Sequence, residues 1–360
     1  MAEKVLIKGN EVIALGAIHC GCDGYFGYPI TPQSEVMETL MEEKPWETTG
    51  MVVLQAESEI ASINMVYGGA CCGKKVMTSS SSPGISLMCE GLSYIAASEL
   101  PCVLVNVVRG GPGLGTIQPS QSDYFQAVKG GGHGDYKIIV LAPFSAQEMY
   151  DFVGLGFDLA FKYRIPVMIL SDGMIGQMME KVALRPQQPR LSDEEIALRY
   201  GSWATIGKPA HRSGNTITSL ALDPKVHEGL NQRLQAKYRQ IEESEVRFES
   251  IACEDAEYLL VSYGSMARVC ESAVETARAQ GIKLGLLRPV TLFPFPVKEV
   301  QRLAPRLKGI MSVELSAGQM IEDIRLSVNG AVPVSFYGRL GGVIPSPEEV
   351  LQAFKTNYVK

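Results

Sequence analysis

Apolar runs of strand length alternate with segments of helical periodicity through the first half of the chain. VVLQA (52–56) leads into a helix of small and apolar residues, Ile60 to Gly69. KVMTSSSS (75–82) reads as a strand and loop before a second helix, Ile85 to Ser98. PCVLVNVVR (101–109), YKIIVLAP (136–143) and IPVMILSD (165–172) are near-continuous apolar runs, as expected of strands buried on both faces. Ser145 with Glu148 three residues on has capping-box spacing and predicts a helix from there to about Tyr163. The opening MAEKVLIKGNEV predicts a first strand. Strands and helices alternating in this way imply a parallel sheet covered on both faces.

Residues 186–250 differ. ALRPQQPRLSDEEI is rich in Pro and Gln, then acidic, and predicts a linker with a helix start at Ser192. LNQRLQAKYRQIEESEVRFES (230–250) predicts a charged helix with little apolar stripe. A second strand–helix series follows: YLLVSYG, a helix from Met266 to Gln280 stopped by Gly281, and KLGLLRPVTLFPFP. IMSVEL (310–315) and VPVSFYG (332–338) supply further strands. The pattern is that of two α/β domains joined by a mostly polar connector.

Composition narrows the function classes. The 360 residues are 46% apolar and 20% charged, as in an ordinary globular protein. The net charge is −6 and no basic run tracks phosphates, so nucleic acid is not an expected partner. No apolar segment reaches the roughly 18 to 20 residues that span a bilayer. The N-terminus lacks a signal-peptide apolar region, so a cytoplasmic location is expected and no membrane contact. None of the eight cysteines forms a C-x-x-C pair, so zinc and iron–sulfur spacings are missing. Reduced structural thiols are expected, with any cluster on another chain.

Two phosphate-loop resemblances fail on spacing. GGACCGKK (68–75) ends in Lys75 where Ser or Thr is needed, and RGGPGLGT (109–116) has Thr116 in place of the last glycine of G-x-G-x-x-G. His133, in GGGHGD, is either a solvated loop residue or part of a site. GYPITPQSEV (27–36) carries more. Pro32 suits the first position of a helix, which would make Thr31 its N-cap. That is a complete structural reading; the functional one adds that a helix N-terminus favours an anion. In QAESEIASINMVYGGA (55–70), Glu57 and Glu59 sit at a strand-to-helix junction among small residues. They either favour a helix dipole or face an apolar contact as a desolvated, proton-holding carboxylate. Arg109 ends a buried strand, where open α/β sheets bind ligands, and is either a carboxylate fork or half of a structural ion pair.

YPITP, the QAESEIAS junction with VYGGA downstream, TSSSSPG, the LP-to-Arg strand, GGPGLGTIQPSQSD and GGGHGDYKIIVLAP follow one another in that order. In this the chain resembles the α-type subunit of thiamine-diphosphate-dependent 2-oxoacid:ferredoxin oxidoreductases, and among them the branched-chain, 2-oxoisovalerate type. YGS (263–265) and LLRPVTLFPFP (286–296) extend the resemblance over nearly the whole chain. It implies an α/β fold: a pyrimidine-binding thiamine-diphosphate domain over 1–185, a linker with helices over 186–250, and a transketolase C-terminal-like domain over 251–360. The implied reaction is CoA-dependent oxidative decarboxylation of a 2-oxoacid, 3-methyl-2-oxobutanoate favoured, to acyl-CoA and CO2 with ferredoxin reduction. 2-Oxoglutarate or pyruvate as substrate stays open, and so does a non-catalytic scaffold of the same fold.

The resemblance also implies roles. Glu59 falls on the family's catalytic glutamate, which contacts N1′ of the cofactor's aminopyrimidine; Glu57 fits less well. Thr31 and Arg109 fall on residues that face the 2-oxoacid carboxylate. Ser81, Ser82, Pro83 and Gly84 lie in a loop expected near the cofactor. The family's diphosphate and magnesium motif, GDG with a downstream Asn pair, is missing, since SDG (171–173) starts with Ser and lacks the asparagines. A half-site is therefore implied, with no metal on this chain. Thiamine diphosphate would be shared with a β-type subunit carrying its diphosphate and magnesium. Iron–sulfur clusters would lie on γ-type and ferredoxin-like partner subunits, with ferredoxin and coenzyme A as further partners and a homodimer open to the isolated chain.

Overall fold

The structure, a computed structural model, describes residues 4–359. The first half runs β1 (Lys4–Lys8), α1 (Gly9–His19), β2 (Gly24–Gly27), α2 (Ser34–Glu43), α3 (Pro45–Thr48), β3 (Val52–Gln55), α4 (Glu59–Cys71), β4 (Val76–Ser80) and α5 (Ser82–Ala97). It continues with β5 (Cys102–Val108), α6 (Tyr124–Val128), β6 (Ile139–Leu141), α7 (Ala146–Tyr163), β7 (Pro166–Asp172), α8 (Gly173–Gln177) and β8 (Met179–Ala183). A connector holding α9 (Asp193–Tyr200) and α10 (Pro224–Ser244) leads to β9 (Phe248–Ile251), β10 (Tyr258–Val261), α11 (Gly264–Ala279), β11 (Leu284–Pro289) and β12 (Thr291–Phe293). The chain closes with α12 (Val297–Leu303), β13 (Gly309–Glu314), α13 (Met320–Val328), β14 (Val334–Gly338) and α14 (Pro347–Tyr358). No helix among the described residues is long and apolar enough to cross a membrane.

A seven-stranded sheet has the order β12-β6-β7-β5-β4-β2-β3 and is parallel except for β12. Its centre is β5, paired from Cys102↔Pro166 to Val108↔Asp172 on one side and with β4 on the other. Val103, Leu104, Val105 and Val107 are fully buried, and each such side chain contributes about 1.5–3 kcal/mol of burial. Right-handed crossovers place α2 and α7 on one face, where α1 packs against both, and α4 and α5 together on the other. A second sheet, β14-β13-β10-β11-β9, is parallel except for β9. β1 pairs antiparallel with β8 as a separate ribbon.

The structure departs from the sequence expectations in several places. β1 ends at Lys8 and Gly9 already belongs to α1, so only part of MAEKVLIKGNEV is strand; residues 1–3 lie outside the described residues. The helix after β4 starts at Ser82 rather than Ile85, with Pro83 in its first turn. At α7 only half of the expected capping box forms. Ser145 Oγ accepts from the Glu148 amide, but the Glu148 carboxylate reaches one residue further back, to the Phe144 amide at 2.8 Å, and pairs with Arg288. The charged helix starts at Pro224, capped by the Asp223 side chain, and ends at Ser244. Residues 248–250, expected in that helix, belong to β9, which pairs with β11. Its apolar stripe, Leu234, Tyr238 and Ile241, is buried despite the surrounding charges. Finally β12, part of the second strand series in sequence, crosses over to close the edge of the first sheet on β6.

Candidate active site

The turn that carries Thr31 is not the helix N-cap its sequence implied. The Thr31–Pro32 bond is cis, the Gln33 amide donates back to Ile30 O at 3.1 Å, and α2 begins only at Ser34 with Gln33 in the cap position. Thr31 thus precedes the helix by one turn of chain, and its side chain is exposed. The turn is held from below. Gln33 Oε1 accepts from Ser79 Oγ at 2.5 Å, and Ser79 Oγ lies 2.7 Å from Tyr25 OH, tying the turn to the ends of β2 and β4.

Arg109 follows β5 and is 8% exposed. Its Nη1 donates to Thr31 O at 3.0 Å, so the structure brings these two expected residues together. Its Nε is buried without an acceptor, and no ion pair among the described residues involves it. The structural ion pair left open by the sequence is therefore not formed. A buried guanidinium without an acidic neighbour retains a charge and a fork to offer an anion.

Glu59 opens α4, whose N-cap is Ser58, accepting from the Ala61 amide at 3.2 Å. Glu59 is 5% exposed and its Oε1 accepts from Ser80 Oγ at 3.5 Å. Gly84 makes this approach feasible, because a Cβ there would overlap both Ser80 Oγ and Glu59 Oε1. Glu57, by contrast, is exposed in the loop before the helix, so burial separates the two acids. The Ser80–Gly84 segment lies between the other site residues. On one side it meets Glu59; on the other, Ser82 Oγ accepts from the Arg109 amide at 3.1 Å and donates to Arg109 O at 3.3 Å. Ser81 is buried with an unpartnered Oγ, and Pro83 lies in the first turn of α5.

Sequence reasoning missed Gln33 and Tyr25, although Gln33 lies inside the stretch it singled out. It also missed Asp123, whose carboxyl is pushed up by burial against the pull of an Asn106 Nδ2 hydrogen bond at 2.9 Å. Asp123 lines a cleft of about 610 Å³ with Ser82 and Pro83 from the first half and Leu315 and Gln319 from the second.

The remaining motifs have structural roles. His133 O accepts from Ser93 Oγ at 2.7 Å and its ring stands edge-on to Tyr94. Asp172 of SDG spends its carboxylate on the Met174 and Ile175 amides at 2.9 and 3.3 Å, capping α8. Lys75 of GGACCGKK donates to Cys20 O at 2.9 Å. Burial pushes the Cys20 thiol up to about 12 and the Cys253 thiol up to about 11.

Residues 15–234 match the family described as pyruvate flavodoxin/ferredoxin oxidoreductase, thiamine diP-bdg, and residues 256–350 match pyruvate:ferredoxin oxidoreductase core domain II. The chain is 49% identical over 351 residues to the ketoisovalerate oxidoreductase subunit VorB of Methanothermobacter thermautotrophicus, covering 97% of each. It is 37% identical over 371 residues to the 2-oxoglutarate synthase subunit KorA of the same organism, covering 98% of each. Among solved structures it is similar to 2-oxoglutarate:ferredoxin oxidoreductase from Magnetococcus marinus, determined with 2-oxoglutarate, coenzyme A and succinyl-CoA bound. The TM-score is 0.85 at 29% identity, over 99% of this chain and 65% of that one.

Proposed function

The chain belongs to the pyruvate flavodoxin/ferredoxin oxidoreductase family, and from that premise we propose that it supplies half of an active site for oxidative decarboxylation of 2-oxoacids. The proposed substrate is 3-methyl-2-oxobutanoate or a similar branched acid, converted to acyl-CoA and CO2 with ferredoxin reduction. The identity of 49% to a ketoisovalerate subunit, against 37% to a 2-oxoglutarate subunit, supports that order of substrates. The partners proposed are a β-type chain carrying the diphosphate and magnesium site, and γ-type and ferredoxin-like chains carrying iron–sulfur clusters.

The observation that carries the reading is that the Ser80–Gly84 segment joins Glu59 to Arg109, whose guanidinium in turn holds the Thr31 carbonyl. A scaffold chain that had lost its chemistry would have no need of it. The residues fit the pyrimidine half of thiamine diphosphate: Glu59 offers a buried carboxylate whose Oε1 has only the long 3.5 Å contact from Ser80 Oγ, and Ser81 Oγ is buried without a partner. When bound, thiamine diphosphate supplies an acidic carbon as nucleophile and an electron sink for the pair released with CO2. Glu59 would hold or share a proton at its carboxylate against the cofactor's ring nitrogen, with Ser80 steadying Oε1. Thr31 Oγ1 and the free side of the Arg109 guanidinium would orient the substrate carboxylate before it leaves. Both side chains are buried, Glu59 at 5% and Arg109 at 8% exposure, so bulk water has little access to either.

Steady-state kinetics on the assembled complex test this, with coenzyme A and ferredoxin present and 3-methyl-2-oxobutanoate, 2-oxoglutarate and pyruvate compared by kcat/KM. The branched acid is expected to lead. Preference for either other acid overturns the substrate assignment, and turnover of none overturns the activity.

A further inference from the structure

The Thr31 turn is also fastened from behind, by side chains that no motif singles out. Asn10, the second residue of α1, is fully buried and donates from Nδ2 to Pro32 O at 2.6 Å and to Glu35 Oε2 at 3.0 Å. Gln177, the last residue of α8, donates from Nε2 to the same carbonyl at 3.3 Å and to Glu35 Oε1 at 2.6 Å. The two helix ends meet backbone to backbone: a Cβ at Gly9 would overlap Ile175 O, and one at Gly176 would overlap Asn10 Oδ1.

Asn10 Oδ1 is itself buried without a donor among the described residues. An apolar side chain of similar size would leave no such orphan, so packing does not account for an amide here. What the amide contributes is its Nδ2 group, and both of its hydrogen bonds end on the Thr31 turn or the helix turn that follows it. Because Thr31 O accepts from Arg109 Nη1, any shift of this turn also moves the guanidinium.

Resting on the reading of Thr31 as a ligand of the substrate carboxylate, we propose that Asn10 is a positioning residue for the 2-oxoacid. It holds the Pro32 carbonyl and thereby sets the direction in which the Thr31 hydroxyl and the Arg109 fork face the substrate. Asn10 touches no reacting atom, so its loss should appear in substrate binding more than in turnover.

The test is a double-mutant cycle in the assembled enzyme, read as KM and kcat for the 2-oxoacid. Asn10→Ala should raise KM about tenfold, the equivalent of one lost hydrogen bond, with a smaller fall in kcat and an unchanged Kd for thiamine diphosphate. In a Thr31→Ala background the same change should raise KM by about threefold or less, because the turn then aims only the arginine. An unchanged KM, or an equal factor in both backgrounds, overturns the positioning role; so does a matching loss of cofactor affinity, which marks a general structural defect. If Thr31→Ala alone leaves KM unchanged, the reading of Thr31 fails and this proposal falls with it. If only Asn10→Ala is silent, Asn10 fails alone. Should Asn10→Ala not assemble, Gln177→Ala removes the second donor from the same carbonyl, and the same cycle applies with an expected rise of about threefold.

Discussion

Glu59 shows what one residue's surroundings require of it. Its carboxylate is buried at the first turn of α4, in reach of Ser80 Oγ, and is given room by the missing side chain of Gly84. Glu59→Gln keeps the size and an acceptor for Ser80 but cannot exchange a proton. Decarboxylation should therefore fall by about 10²- to 10⁴-fold, the usual scale of general acid–base contributions, while size-exclusion chromatography shows the complex still assembled. Near-wild-type rates would remove Glu59 from the chemistry. That Glu59, Thr31 and Arg109 each sit where a strand or turn gives way to a helix or loop was legible in the sequence; the roles proposed for them rest on the family resemblance. The reason Thr31 is rigid was not legible there. Local propensity pointed to an N-cap, whereas the turn is set by Arg109 on Thr31 O, 78 residues away, by Asn10 on Pro32 O, 22 residues away, and by Ser79 on Gln33, 46 residues away.

Among the elements, α8 carries a cost that pH should reveal. Asp172 caps it from inside the protein, and burial pushes its carboxyl up against hydrogen bonds from the Met174 and Ile175 amides. A raised acid holds its proton more tightly in the folded chain than in the unfolded one. Its contribution to stability is thus complete below the unfolded value of 3.8 and is lost as pH rises through the folded one. Asp172→Asn keeps an oxygen to cap α8 and carries no charge. Its Tm relative to wild type should therefore climb as pH goes from about 4 to about 7, measured by thermal melts across that range. A constant difference would show that Asp172 titrates normally. The elements most legible in sequence were β5, β6 and β7, whose near-continuous apolar runs follow from burial on both faces. α1 was not, because most of its residues are buried against α2 and α7 and no one-sided stripe marks it as a helix. β9 was missed because its residues are mostly exposed and directly follow a charged helix, so only pairing with β11 makes it a strand.

On the scale of the whole molecule, sequence order suggested two halves, and contacts also run between them. β12 leaves the second strand series to pair with β6, and one hydrophobic cluster runs from Val12 through the first sheet to Val332, while a second, with Leu260, Leu286 and Phe354, lies on the second sheet. Such pairings join residues far apart in sequence, and no local pattern announces them. The clearest of them centres on Gln121, 2% exposed, in the loop after Arg109. Its Nε2 donates to Tyr263 O at 2.7 Å, its Oε1 accepts from the Leu315 amide at 2.9 Å, and its own amide donates to Leu315 O at 2.9 Å. Tyr263 OH donates back to Gln121 O at 3.3 Å, and Tyr124 OH donates to Asp323 at 2.6 Å nearby. Gln121→Leu preserves much of the volume but leaves Tyr263 O and the Leu315 amide without these partners. At about 1–3 kcal/mol for each buried group left unpaired, a loss of roughly 2–6 kcal/mol is expected. Differential scanning calorimetry should show it as a fall in Tm of several degrees. If the shared core and β12 couple the halves, wild type and variant should each unfold in one transition. Two resolved transitions in the wild type, or a Tm that ignores the substitution, would mean that the halves unfold independently and that Gln121 merely sits at their border.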